Sequence, residues 1–163
     1  MQYKPMETDE EIKGKAYVHY QAWREAYAGL LDAAFLFGRT LERSEESALR
    51  GAQMGISTIL AKDGVRVVGF ADYGPYRGDG LPDAGEVYAL YILKEYYGRG
   101  VGFALMREAL SRMPGYQCAA VWVLRGNERA IRFYTRFGYR FDGAEQTLSL
   151  GGEATELRMV LQR

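Results

Sequence analysis

The chain of 163 residues has one cysteine, one histidine and four prolines. A lone Cys118 excludes an internal disulfide, and a lone His19 leaves no His/Cys cluster at metal-ligand spacing. No apolar run approaches the ~18 residues that a membrane span needs. Neither sign of charge is in excess, because 21 Lys and Arg balance 21 Asp and Glu. A balanced chain has no general electrostatic grip on nucleic acid or an anionic membrane. The opening stretch MQYKPMETDEE lacks the apolar segment of a secretory signal. These absences lead to the expectation of a cytoplasmic globular protein, one domain over residues 1–163, with no metal, nucleic acid or membrane among its partners.

Two residue types are abundant: 20 glycines and 13 tyrosines. Tyrosine gives flat apolar surface with a polar tip, which suits both a ligand cleft and a half-buried sheet face. The pattern along the chain alternates between strand and helix signals. Residues 2–6 read as a first strand. TDEE then reads as a capping box, with Thr8 and Glu11 each serving the other's amide, and a helix runs to about Tyr27. DAAFLFGRTLERSEESALRGAQM is a second helical region broken near Gly38. ISTILAKDGVRVVGFADYG is a hairpin turning at Asp63-Gly64. Residues 73–85 form a long Gly/Pro-rich loop of the kind that often carries function.

The segment EVYALYIL is a strand apolar nearly throughout, which predicts a central position. After a glycine-rich turn, a helix runs to about Met113 with Val101, Leu105 and Ala109 on its buried face. QCAAVWVL is a second central strand. Asn127 caps a following helix that ends at Gly138, and two strands around 139–149 and 154–161 close the chain through Gly151-Gly152. The expected fold is therefore mixed α/β (α+β), with a central sheet of about seven strands and about four flanking helices.

The glycine-rich turn, YGRGVG, is the first candidate for function. A helix N-terminus carries free amides and partial positive charge. Gly98, Gly100 and Gly102 let that backbone approach a phosphate without a β-carbon in the way, and Arg99 adds charge. The turn does not fit the dinucleotide fingerprint, since Leu105 stands at its third glycine position. It does not fit the P-loop either, since no Lys-Ser or Lys-Thr follows.

The stretch EVYALYILKEYYGRGVGFALMREAL resembles the cofactor motif of the GNAT superfamily of acetyl-CoA-dependent N-acetyltransferases. That motif is a strand, then Gln or Arg-x-x-Gly-x-Gly or Ala, then a helix. Gly100 and Gly102 match its small positions, and Tyr97 departs from its Gln or Arg. VLRGNERAIRFYTRFGYRFDG is similar to a second family segment, which Asn127, Ala130, Tyr134 and Gly138 match. HYQAWREAYAGLL is similar, more weakly, to an early acceptor-side helix. The resemblance covers nearly the whole chain.

What it implies is a GNAT-like sheet splayed between strands 4 and 5, with acetyl-CoA as cosubstrate. The pantetheine arm would lie along Ile92 and Leu93, and the pyrophosphate would meet the amides of Gly98, Arg99, Gly100, Val101 and Gly102. Asn127 would contact the cofactor arm. Tyr134 would be the general acid for the leaving thiolate, or a packing residue beside Phe133 and Phe137. Glu86 would take a proton through a water, or be a solvated strand-end carboxylate. Trp23, Tyr27 and Tyr88 would border the acceptor, together with the 73–85 loop.

The implied reaction is direct transfer to a primary amine of a small molecule in a ternary complex. A non-catalytic acyl-CoA-binding or sensor domain, or an acetyltransferase of protein N-termini or lysines, remains an alternative. A homodimer is a further partner expectation. Asp72, Asp79, Asp83 and Glu86 hint at a polyamine acceptor. Cys118 has no adjacent histidine to activate it and reads as a buried, inert thiol. His19, four residues before Trp23, reads as a partly exposed helical residue, with a place facing the acceptor cleft as the alternative.

Overall fold

The computed structural model describes residues 1–163. Its framework is a seven-stranded sheet: β1 (Gln2–Pro5), β2 (Ser57–Asp63), β3 (Arg66–Pro75), β4 (Ala84–Ile92), β5 (Cys118–Leu124), β6 (Arg140–Ser149) and β7 (Glu153–Gln162). The spatial order is β1-β2-β3-β4-β5-β7-β6, so the last hairpin folds back to set β7 against β5. Every pairing is antiparallel except β4 with β5, which is parallel. The helices are α1 (Asp9–Tyr27), α2 (Ala33–Gly38), α3 (Leu41–Gln53), α4 (Val101–Ser111) and α5 (Glu128–Phe137).

Five helices stand where about four were expected. The second helical region is two helices because it holds two separate caps. Asp32 accepts from the amide of Phe35 at 2.9 Å, and Thr40 accepts from the amide of Arg43 at 3.2 Å. The 73–85 loop is also shorter than its composition suggested. β3 continues through Pro75 and β4 begins at Ala84, leaving residues 76–83. Its ends are tied by a bond from the Tyr76 amide to the Ala84 carbonyl at 2.9 Å.

A core cluster of 24 buried residues lies on the sheet and extends to α1 and α4. The side of α4 named by the sequence does face it: Val101, Leu105, Met106 and Ala109 are buried. Gly102 also faces inward, and a β-carbon there would stand 3.1 Å from Ile92 Cδ1 and Phe133 Cε2. α5 lays Ala130, Phe133, Tyr134 and Phe137 along the same core without burying any of them fully. Phe103 of α4 meets Phe133 and Phe137 of α5 at centroid separations of 5.5 and 5.1 Å. No helix is long and apolar enough to cross a membrane.

The start of α1 is held by a cluster of charge. Thr8 caps the amide of Glu11 at 3.2 Å, but the Glu11 carboxylate does not return the bond to Thr8. It accepts instead from the Glu7 amide at 2.9 Å, from Lys4 Nζ at 2.9 Å and from Lys62 Nζ at 2.8 Å. Two lysines on neighbouring strands outcompete the local amide, so one carboxylate ties α1 to β1 and β2. Farther along, buried Lys15 meets Asp72 of β3 at 2.7 Å.

Burial raises the Glu11 carboxyl, but bonds from Lys62, Lys4 and the Glu7 amide outweigh it and hold the group at about 2, below its ordinary 4.5. A depressed carboxyl stabilises the fold above its unfolded value and loses that contribution as pH falls through its folded value. Glu11→Gln should therefore lower stability to denaturant at pH 7, and the gap from the wild type should close between about pH 4.5 and 2. Urea titrations across that range check it; a gap of constant size would refute the linkage.

Candidate active site

β4 and β5 pair through three residues only: Ala84 with Cys118, Gly85 with Ala119 and Glu86 with Ala120. Beyond Glu86 the two strands part. β4 keeps its ladder to β3 as far as Ile92, and β5 keeps its ladder to β7 as far as Leu124. The slot between them is therefore walled by backbone that is anchored on its outer sides. The Leu93 amide bonds to the Val68 carbonyl at 2.9 Å, so Leu93 is turned toward β3. Alternation along the strand turns the peptide groups of Ile92 and Leu90 the other way, toward the slot.

The chain leaves β4 through a 3-10 turn, Lys94–Tyr96, and reaches α4. Gly98 and Gly100 have φ of +74° and +78°, a left-handed conformation that disfavours other residues. So each of the three glycines has a backbone reason: two for positive φ and Gly102 for close packing. The consequence for chemistry lies in the amides. From Gly98 to Phe103, six consecutive N–H groups donate to no acceptor in the protein, and the first α4 bond is from Ala104 to the Gly100 carbonyl at 3.0 Å. Such a run at a helix N-terminus suits a phosphate or another anion. Arg99 is exposed beside it, 5.1 Å from the Tyr96 ring centroid.

A cleft of about 340 Å³ occupies the slot. α1 supplies His19, Trp23 and Tyr27, β4 supplies residues 87–91, and β5 supplies Trp122, Val123 and Leu124. Asn127, Arg129, Ala130 and Tyr134 close it from α5, and Leu148, Leu150 and Glu156 from the last hairpin. The α1 wall is aromatic. Trp23 and Tyr27 lie 4.7 Å apart between centroids, His19 and Tyr91 5.0 Å apart, and the Tyr27 and Tyr91 hydroxyls are 3.2 Å apart.

The sequence-nominated residues divide in two. Trp23, Tyr27, Tyr88, Asn127 and Tyr134 line the cleft. Asn127 also caps α5, accepting from the Ala130 amide at 3.2 Å. Burial pushes the Tyr134 phenol well above its ordinary value, with Tyr27 and the charge of Glu156 adding to it. Ile92 packs toward α4, and the Leu93 side chain is buried in the core.

Glu86 does not line the cleft and is not solvated. It is 4% exposed, and its two oxygens accept from the Arg77 amide at 3.1 Å and the Arg77 guanidinium at 3.3 Å. The 76–83 loop does not border the cleft either, because Arg158 holds it away through Tyr76 Oη at 2.8 Å and the Asp79 carbonyl at 3.2 Å. Asp72 is taken by Lys15 and Thr58, so the acids that hinted at a polyamine do not converge on this site. Cys118 is buried.

Several cleft residues had no side-chain signal in the sequence. Trp122, Arg129 and Glu156 come from three elements, and only the fold brings them together with Tyr91. Arg129 stacks its guanidinium 4.0 Å from the Tyr97 ring centroid. A positive charge thus stands beside Tyr97, where the family pattern has Gln or Arg. No three His, Cys, Asp or Glu side chains converge as a metal site.

His19, the one histidine, is partly exposed as its sequence position suggested, and it also packs edge-on against Trp23 and Phe70 in the aromatic wall. Burial, then the charges of Arg39 and Lys15, lower its imidazole from 6.5 to about 3. It is therefore neutral throughout the physiological range. Its single set of imidazole proton resonances should stay fixed between pH 8 and 5 in an NMR titration. An inflection near pH 6.5 would show the ring to be solvated.

The sequence matches the profile of the acetyltransferase (GNAT) family over residues 16–139. The chain is 30% identical over 130 residues to the uncharacterized N-acetyltransferase YuaI of Bacillus subtilis, spanning 78% of this chain and 74% of that one. A spermine/spermidine N(1)-acetyltransferase of the same species is 30% identical over 83 residues, which is 47% of this chain and 55% of that protein. The fold is similar to that of the PaiA N-acetyltransferase of Thermoplasma acidophilum, solved with coenzyme A, at a TM-score of 0.76 and 18% identity over 100% of both chains. The chain belongs to the GNAT acetyltransferase family and is an acyltransferase of the N-acetyltransferase type.

Proposed function

We propose that this protein moves an acetyl group from acetyl-CoA to the primary amine of a small molecule, with both bound at once. The observation that carries the reading is the continuity of two features: six free amides at residues 98–103, and an aromatic cleft of about 340 Å³ in the slot beside them. The amides fit a pyrophosphate, and the open edge of β4 fits the amide groups of a pantetheine arm. Acetyl-CoA supplies the acyl group as a thioester. In this reading the Ile92 amide, turned toward the slot, donates to the carbonyl oxygen as negative charge gathers there. Asn127 meets the arm while keeping its bond to Ala130. Arg99 and Arg129 offset phosphate charge.

Tyr134 is the proton donor of this reading. It lines the cleft and is protonated at pH 7, so it can donate a hydrogen bond to the thiolate as it leaves; burial, which raises the phenol, makes complete proton transfer the harder part of the step. Glu86 stands at the last paired position of β4, where the strands fork. Because Glu86 lies outside the cleft lining, a proton reaches it from the amine only through a water. A cleft lined by six elements favours a small acceptor over a protein segment.

Calorimetric titration should give micromolar binding of acetyl-CoA and none of NAD or ATP. Equal binding of all three would reduce the glycine turn to a general anion site. Tyr134→Phe should lower kcat by about 10²-fold, the low end for a lost general acid because a thiolate needs little help, and should leave acetyl-CoA affinity unchanged. Unaltered kcat would remove Tyr134 from the chemistry.

A further inference from the structure

The cleft carries a charge pattern that acetyl transfer alone does not explain. Only Arg129 and Glu156 among its lining side chains are charged, since His19 is neutral. Arg129 lies on the side of the glycine turn, stacked on Tyr97. Glu156 projects from β7, where it pairs with Leu124 of β5 and Gln146 of β6. Its Oε2 accepts from Gln146 Nε2 at 2.7 Å, and its Oε1 has no partner in the protein.

The cations nearest in sequence register are already engaged. Arg158, two residues along β7, meets Asp142 at 2.7 Å, and Arg125, next to Leu124, pairs with Glu145. Glu156 is half-buried at the wall of an aromatic cleft, so a ligand that displaces water from its free oxygen must replace that water, and a cation does so best. The side chains around it decide which cation. Tyr27 and Tyr134 lie within reach of its charge, and Trp23, Tyr91 and Trp122 continue the wall. These flat faces suit an ammonium at one end and an apolar or aromatic body along the cleft. A polycation would need a second carboxylate. The other acids of this region, Asp72 and Glu86, are bound by Lys15 and Arg77 outside the cleft, and the only other charge lining the cleft is the Arg129 guanidinium.

We infer that Glu156 anchors the ammonium of a monocationic amine with an aromatic or bulky apolar body, and that the cleft selects such amines over polyamines. The inference rests on the acetyl-transfer reading for its meaning, but amine binding can be measured without transfer. The only two tryptophans of the chain, Trp23 and Trp122, both line the cleft, so intrinsic fluorescence reads its occupancy directly.

The experiment titrates 2-phenylethylamine, spermidine and the uncharged 2-phenylethanol into the full chain at pH 7. Binding of 2-phenylethylamine should be at least about tenfold tighter than that of either other probe, the factor expected for a charge-assisted bond in a partly dry site. Glu156→Gln should weaken 2-phenylethylamine by about the same factor and leave 2-phenylethanol unchanged. Spermidine binding as tightly as 2-phenylethylamine, equal binding of the alcohol, or an unaffected Glu156→Gln variant would each overturn the assignment. So would the absence of any response to 2-phenylethylamine. The alcohol comparison needs no variant and holds even if Glu156→Gln misfolds. A parallel acetyl-CoA titration separates the two readings: amine binding through Glu156 with no acetyl-CoA binding would keep this site and remove the transferase.

Discussion

The parting of β4 and β5 is the constraint on which the rest depends. Three paired residues hold the strands together at one end, and nothing bridges them beyond Glu86. Backbone groups left open inside a sheet are costly unless something meets them. Here the outer ladders to β3 and β7 keep both strands from collapsing into the gap. The slot is thus a stable defect. It leaves unpaired backbone on β4 and a floor of side chains from β5, and Tyr97, which lines it, leads into the unpaired amides that precede α4.

The walls of that slot depend on contacts far from it. α1 brings His19, Trp23 and Tyr27 to the cleft while its first turn is fastened through Glu11 to Lys4 and Lys62 and its buried side packs on the core. Lys15 adds a second tether through Asp72, midway along the same helix. Charge is placed at the root of the helix, and the working face is kept nearly free of it. The one histidine fits this division, since burial among aromatic rings removes its charge. Arg158 and Arg125, the cations nearest Glu156 in register, are paired with Asp142 and Glu145, and Glu156 is the one acid that lines the cleft.

Much of the fold could be read along the chain because its signals are local. Thr8, Asn127 and Gly138 each act on residues within three or four positions, and each sits where its chemistry demands. The apolar period of Val101, Leu105 and Ala109 is likewise a property of one helix. The glycine turn was legible for the same reason, although its glycines answer to backbone geometry and packing as much as to a ligand. Local signals failed where a distant partner competed. Glu11 abandoned its capping box for lysines on two strands. Glu86, read either as a base acting through a water or as a solvated strand-end acid, is not solvated, because Arg77 of the neighbouring loop covers it. The Gly/Pro-rich segment after β3 looked like a cleft loop and is held off by Arg158, about 80 residues away along the chain.

By itself, then, the sequence determined the order of strands and helices, the helix ends, and the turn that presents free amides ahead of α4. Those features follow from near-neighbour sterics and hydrogen bonds, which the chain carries wherever it goes. The tertiary structure alone decided that β7 inserts beside β5, and so brought Glu156 across from Tyr27 and Tyr134. It decided that Arg129 would stand on Tyr97, and which acids would be neutralised by an arginine or lysine and which left open. Charge and burial are set by what lies across a gap, and no spacing along a single chain records that.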